Sequence, residues 1–151
     1  MTPVISAAPS ESAHIKALVV FFENLAPDNL SGINRIYTED TYFRDPFNEF
    51  NSCAKLEAVF ADMFHRLHDP KFSVTQIIAQ DDQCVLIWDF DFRIKSYQPQ
   101  TAKRIHGSSH IRFAADGRVK YHRDYWDAAG ELYEKLPVVG GIMRWLKKRM
   151  A

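Results

Sequence analysis

Cysteine, glycine and net charge are all scarce in this chain. Its 151 residues include two cysteines, Cys53 and Cys84, whose spacing serves neither a metal nor a redox pair. Both read as small buried hydrophobes in a reducing compartment. Nineteen basic and nineteen acidic residues cancel. A neutral chain exerts no global pull on polyphosphate, which excludes generic binding to nucleic acid. No apolar run approaches the roughly 20 residues of a membrane span, and Met1–Ser10 lacks the basic start and long apolar core of a secretion signal. No glycine-rich loop is built to cradle a phosphate, so no organic cofactor is expected. What is present is ordinary for a globular protein: 46% hydrophobic and 25% charged residues, at a length that suits one domain with its own core. These features point to a cytoplasmic protein with a flexible leader over residues 1–11.

Periodicity then divides the chain. Ile15, Leu18, Val19, Phe22 and Leu25 recur at helical spacing between Ser12 and Ala26. Pro27-Asp28 breaks that helix, and Asp28 can cap a short second one carrying Leu30, Ile33, Ile36 and Tyr37 on one side. Residues 40–47 are extended and stopped by Pro46, with Phe47–Phe50 able to pair back as a hairpin. Ser52 is placed to cap a third helix, striped by Leu56, Val59, Phe60, Met63, Phe64 and Leu67 and stopped by Asp69-Pro70. His65 and His68 would close it, at its negative end. Four strand-like segments follow: Phe72–Gln80, Cys84–Tyr97, Lys103–Ala114 and Arg118–Asp127. Asp81-Asp82 and Asp116-Gly117 mark tight turns, so these strands are antiparallel. Helices followed by an antiparallel meander define an α+β class.

Three stretches give this order a likeness: residues 37–47 (YTEDTYFRDPF), 111–119 (IRFAADGRV) and 122–127 (HRDYWD). With the elements around them they resemble the nuclear transport factor 2-like (NTF2-like) superfamily, SnoaL-like in type, which includes polyketide cyclases, ketosteroid isomerase and limonene epoxide hydrolase. The resemblance spans residues 12–136. It implies a cone-like α+β roll, a curved sheet wrapped on the N-terminal helices around a pocket, and often a homodimer through the outer sheet face. It also offers two catalytic patterns. Ketosteroid isomerase uses an aspartate before proline, matched by Asp45-Pro46. Its oxyanion hole needs a tyrosine and a protonated aspartate. Those positions hold Phe21 and Ser109, so steroid isomerisation by that route is excluded. The epoxide hydrolase pattern maps its carboxylates onto Asp124 and Asp91, but its bridging arginine falls on Asp89, and its water-holding tyrosine and asparagine fall on Phe43 and Asp45.

The candidate catalytic residues are therefore Asp45, Asp91, Asp124 and His122. Asp45 has two readings: a pocket acid whose pKa burial would raise, or an Asp-Pro turn binding nearby amides. Asp89 and Asp91 alternate with Trp88, Phe90 and Phe92, so the two sets face opposite ways. Plain patterning turns the aromatics inward and leaves Asp89, Asp91 and Arg93 in water. The resemblance implies the reverse, with Asp91 in the pocket and an aromatic outer face covered by a dimer mate; we follow the resemblance. His122, Asp124 and Trp126 share one strand face. That face reads either as a polar strand surface with Tyr125 packed inside or, as the resemblance implies and we follow, as a pocket lining with His122 and Asp124 as a candidate acid–base pair and Trp126 as an apolar wall. The expected pocket lining is Phe21, Tyr37, Phe43, Phe60, Phe64, Ser109 and Trp126. His106, His110 and His122 raise a zinc reading, but ordinary strand polarity accounts for them and no metal is expected.

The tail, residues 137–151, carries Ile142, Trp145, Leu146 and Met150 in a stripe beside Arg144, Lys147, Lys148 and Arg149. Such a helix could lie on an anionic membrane. We read it as packed on its own domain or a dimer mate. The expected partner is a small apolar molecule in the pocket, with or without acid–base chemistry. The rival reading is a non-catalytic interaction module working through the sheet face and the basic helix.

Overall fold

Ser12 is extended and accepts the Ile15 amide on its hydroxyl (3.2 Å), and α1 (Ala13–Glu23) starts there. This is a computed structural model that describes residues 12–131 and 137–151. The leader at 1–11 and the domain boundary at 136 lie outside those residues. Ile15, Leu18 and Phe22 form the buried line of α1. A 3₁₀ helix, Pro27–Arg35, follows and buries Leu30 and Ile33. Its cap is Ala26, whose amide donates to Asn29 Oδ1, so Asp28 sits in the first turn rather than capping it.

Six strands form one curved, unclosed sheet in the order β2-β1-β6-β5-β4-β3. They are β1 (Tyr37–Arg44), β2 (Glu49–Asn51), β3 (Leu67–Gln80), β4 (Gln83–Ile94), β5 (Lys103–Phe113) and β6 (Val119–Trp126). The β1–β2 hairpin and the β3–β6 meander are antiparallel, whereas β1 and β6 run parallel, Phe43 beside His122. Helix α2 (Cys53–Arg66) is capped by Ser52 Oγ and packs across β1, β3 and the 3₁₀ helix. It stops at Arg66, before Asp69-Pro70, and β3 begins at once. Asp69 takes φ 50° inside a slip of the β3–β4 register between His68 and Lys71. Proline is tolerated there because β3 is an edge strand and the slip frees its missing donor. His68 thus belongs to a strand, and only His65 closes the helix.

Alternation along β4 decides the core. Cys84, Leu86, Trp88, Phe90 and Phe92 are buried, and the residues between them are not. The aromatics face the helices, and Phe72, Phe90 and Phe92 stack in series, with ring centroids 4.2 and 5.0 Å apart. The expected inversion, with Asp91 inside, is incorrect. Burying the three β4 aromatics contributes roughly 1.5–3 kcal/mol each, which outweighs anything a buried unpaired carboxylate could return.

The chain continues as α3 (Ala128–Glu131) and α4 (Pro137–Met150). Pro137 occupies the first turn of α4, where its missing N–H costs nothing, and the helix runs through Gly140-Gly141 without a break. The apolar stripe of α4 does not pack on the sheet or on α1 and α2, because Ile142, Trp145, Leu146 and Met150 are all exposed.

Candidate functional site

The site grows out of the strand register. Across β4, β5 and β6 the inner face carries three rows: Trp88–Gly107–Trp126, Leu86–Ser109–Asp124 and Cys84–Ile111–His122. Gly107 is required in the first row. A Cβ there would lie 2.5 Å from the Trp88 ring. Without it the indole lies flat over the strand, and Trp88 Nε1 donates to Ser109 Oγ at 2.8 Å. Ser109 Oγ in turn donates to Asp124 Oδ1 at 2.5 Å.

His122 reaches the same oxygen from the next row, with Nε2 2.6 Å from Asp124 Oδ1. Its other nitrogen, Nδ1, meets the Tyr37 hydroxyl at 2.8 Å. A carboxylate only accepts, so Nε2 donates, and the neutral ring then accepts the Tyr37 proton at Nδ1. Phe22, Tyr37 and Phe43 enclose the imidazole, with Phe43 5.0 Å away edge-on and Tyr37 stacked. Burial, with the Asp124 charge second, holds the Tyr37 hydroxyl well above the ordinary phenol range, so it remains a donor. The result is a continuous relay, Tyr37–His122–Asp124–Ser109–Trp88, in which both partners of Asp124 meet its Oδ1, and among the described residues none hydrogen-bonds its Oδ2.

Two hollows meet at Asp124. The inner one is lined by Phe22, Phe60, Phe72, Trp88, Ser109, His122 and Asp124, with Val74 and Leu86. Its volume is about 20 Å³, room for roughly one water. The outer one is an open recess of about 470 Å³ between Arg44, Asp45, Pro46, Arg123, Asp124, Tyr125 and Trp126. A larger open depression lies elsewhere, lined by Thr38, Glu39, Asp40, Asn51, Ser52, Ala54, Ala114, Ala115, Asp116 and Arg118. It has no aromatic wall and does not touch the relay.

Most sequence candidates are thereby located. Asp124 and His122 are joined, with Tyr37, Phe43 and Ser109 around them. Asp45 lines the outer recess, not the inner hollow. Its Oδ1 accepts the amides of Phe47 (2.7 Å) and Asn48 (2.6 Å), and Asn48 Nδ2 reaches both oxygens. Its carboxylate is engaged in the turn. Asp91 is on the opposite sheet face, where Arg104 grips it at 2.7 and 3.0 Å and holds its carboxyl below the usual range. Phe60 lines the inner hollow. Phe64 packs on the core away from it, and Trp126 walls the outer recess with Phe47 edge-on. Phe21 points at Tyr37, and its neighbour Phe22 takes the lining position. The phase set by Ile15 and Leu18 identifies Phe22, and strict β4 alternation identifies Trp88. Both were missed in favour of the resemblance. His106 and His110 are on the outer face with Asp89 and Gln83, while His122 is inside, so the three never converge.

The chain matches the SnoaL-like domain family over residues 19–122, more than half its length, and belongs to that family. Solved structures agree on the fold. A Catenulispora acidiphila protein with a ketosteroid isomerase-like fold, in complex with trimethylamine, is 11% identical, with TM-score 0.67 over 80% of this chain and 89% of its own. An M. tuberculosis epoxide hydrolase of the limonene epoxide hydrolase-like kind is 13% identical, with TM-score 0.62 over 78% and 83%. A Burkholderia pseudomallei NTF2-like protein of unknown function is 12% identical, with TM-score 0.68 over 79% and 94%. At these identities the likeness concerns the fold alone. No curated protein matches the chain in sequence.

Proposed function

We propose that this chain binds a small, largely apolar molecule bearing one proton-donating group, and that Asp124 receives that proton or hydrogen bond. The observation that carries the reading is the double position of Asp124. Its Oδ1 is held by Ser109 and His122, its Oδ2 is engaged by none of the described residues, and the residue lines both the outer recess and the aromatic inner hollow. A carboxylate fixed at one oxygen and open at the other is pre-oriented for general-base work on a C–H, an O–H or a water. His122 acts as a positioning residue, with its Nε2–H held on Asp124 and its ring steadied by Tyr37. Pro46 and Trp126 wall the ligand in the recess, and deeper entry requires Phe22, Phe60 or Phe72 to swing aside.

The interaction-module reading has less support. The outer sheet face is a field of paired charges, Asp91–Arg104 and Asp89–Arg104 among them. A homodimer through it would bury those ions, which is costly unless each keeps its partner. The proposal is tested by a turnover screen over small cyclic ketones and epoxides with wild type, Asp124→Asn and His122→Gln. Substrate consumption lost in Asp124→Asn and reduced in His122→Gln supports catalysis. Consumption equal in all three sinks it.

A further inference from the structure

We propose that α4 is an interfacial anchor that lies on an anionic membrane surface. Ile142, Trp145, Leu146 and Met150 are exposed at 53%, 55%, 38% and 86%, and they fall on one side of the helix. Together they are the largest group of solvated apolar side chains on one element among the described residues. Arg144, Lys147 and Lys148 occupy the other side, and α4 contains no acidic residue. In a chain whose nineteen basic and nineteen acidic residues cancel only when α4 is included, this is a marked separation of sign. Arg149 lies within the apolar arc, but its guanidinium sits 5.0 Å above the Trp145 ring. From there its stem can run along the apolar face while the head reaches a phosphate.

These features match the physics of a monotopic helix: an apolar face sunk a few ångströms below the headgroups, cations among the phosphates, and tryptophan at the boundary. At 14 residues the helix is about 21 Å long, too short to cross a bilayer, and no helix among the described residues is long and apolar enough to do so. Charge also decides against a second copy as the occupant. Stripe-on-stripe pairing of two such helices would bring two sets of cations together with no acidic residue in either helix to offset them. An anionic lipid surface complements Lys148 and Arg149 and covers the stripe at once.

Flotation of the full chain with vesicles tests this. Phosphatidylcholine vesicles containing about a third phosphatidylserine should carry the protein, and pure phosphatidylcholine at least roughly tenfold less, since each cation near such a surface is worth about fivefold. Lys148→Glu/Arg149→Glu should lose binding to the anionic vesicles while its circular dichroism and thermal unfolding stay as in wild type. Binding should blue-shift tryptophan emission, and Trp145→Phe should abolish the shift even though Trp88 and Trp126 remain. No flotation with either vesicle overturns the proposal, as does equal flotation with both. Lipid-free self-association abolished by Trp145→Ser also overturns it, because the stripe would then serve a second copy.

Discussion

Replacing Tyr37 with phenylalanine isolates the deepest link of the relay. The side chain is fully buried, and its hydroxyl makes one hydrogen bond, to His122 Nδ1 at 2.8 Å. Phenylalanine fills the same space and keeps the ring contacts with Phe21 and His122, so cavity terms are small. The substitution removes a hydrogen bond worth about 0.5–1.5 kcal/mol net and strands Nδ1 where water cannot reach it, which brings the cost to about 1–3 kcal/mol. At this chain length each kcal/mol shifts Tm by about 2–4 °C, so a loss near 2 kcal/mol shows as roughly 4–8 °C. Urea unfolding should give a lower midpoint with an unchanged m-value, because the folded state remains as compact. Adding His122→Phe completes a double-mutant cycle, in which a coupling energy above about 1 kcal/mol is expected. A Tyr37→Phe effect below about 0.5 kcal/mol with negligible coupling would refute the reasoning, since Nδ1 would then have no need of the phenol.

Other consequences follow from the same geometry. Burial pushes the Cys84 thiol from 9.0 up to about 12 and raises Cys53 as well. Above about pH 9 the unfolded chain releases these protons and the folded chain keeps them, so unfolding free energy should fall with rising pH, by about 1.4 kcal/mol per pH unit for Cys84 until its folded pKa is reached. Urea midpoints between pH 8 and pH 11 measure this, and Cys84→Ala should flatten the decline; an equal slope in the variant would assign it elsewhere. Gly107→Ala drives a methyl into the Trp88 ring and displaces it from Ser109, at a cost of about 2–4 kcal/mol. A red-shifted Trp88 emission should accompany the lower urea midpoint. Asp91→Asn, on the outer face, should leave ligand binding and turnover as in wild type, whereas a loss comparable to Asp124→Asn would return Asp91 to the site.

The fold was legible because its elements carry strong local signals. The Ser52 cap, the α1 and α2 stripes and the two tight turns of the meander each specify their piece independently of the rest. The parallel β1–β6 pairing was not legible, because it joins residues some eighty positions apart and no turn announces it. Within the site, period-2 spacing put His122, Asp124 and Trp126 on one face, and the resemblance then turned that face inward. Asp91 was misplaced because the resemblance was preferred to the alternation of β4, where Trp88, Phe90 and Phe92 have more to gain from burial than a carboxylate does. Asp45 shows a different limit. An aspartate before proline can serve a turn or a pocket equally well, and the choice depends on where the amides of Phe47 and Asn48 point, which only the folded loop reveals. The near-filling of the inner hollow was equally hidden, because Phe22, Phe60, Phe72 and Trp88 come from four separate elements.

The most direct measurement is a titration of 2-naphthol into wild type and Asp124→Asn, with 2-methylnaphthalene as the probe that lacks the hydroxyl. If Asp124 Oδ2 is the ligand's acceptor, 2-naphthol should bind wild type at least tenfold more tightly than 2-methylnaphthalene, since a buried hydrogen bond to a charged group is worth about 1.5–3 kcal/mol, and Asp124→Asn should erase that preference. Equal affinity of wild type for the two probes, or a preference that survives Asp124→Asn, would contradict the central role given to this carboxylate.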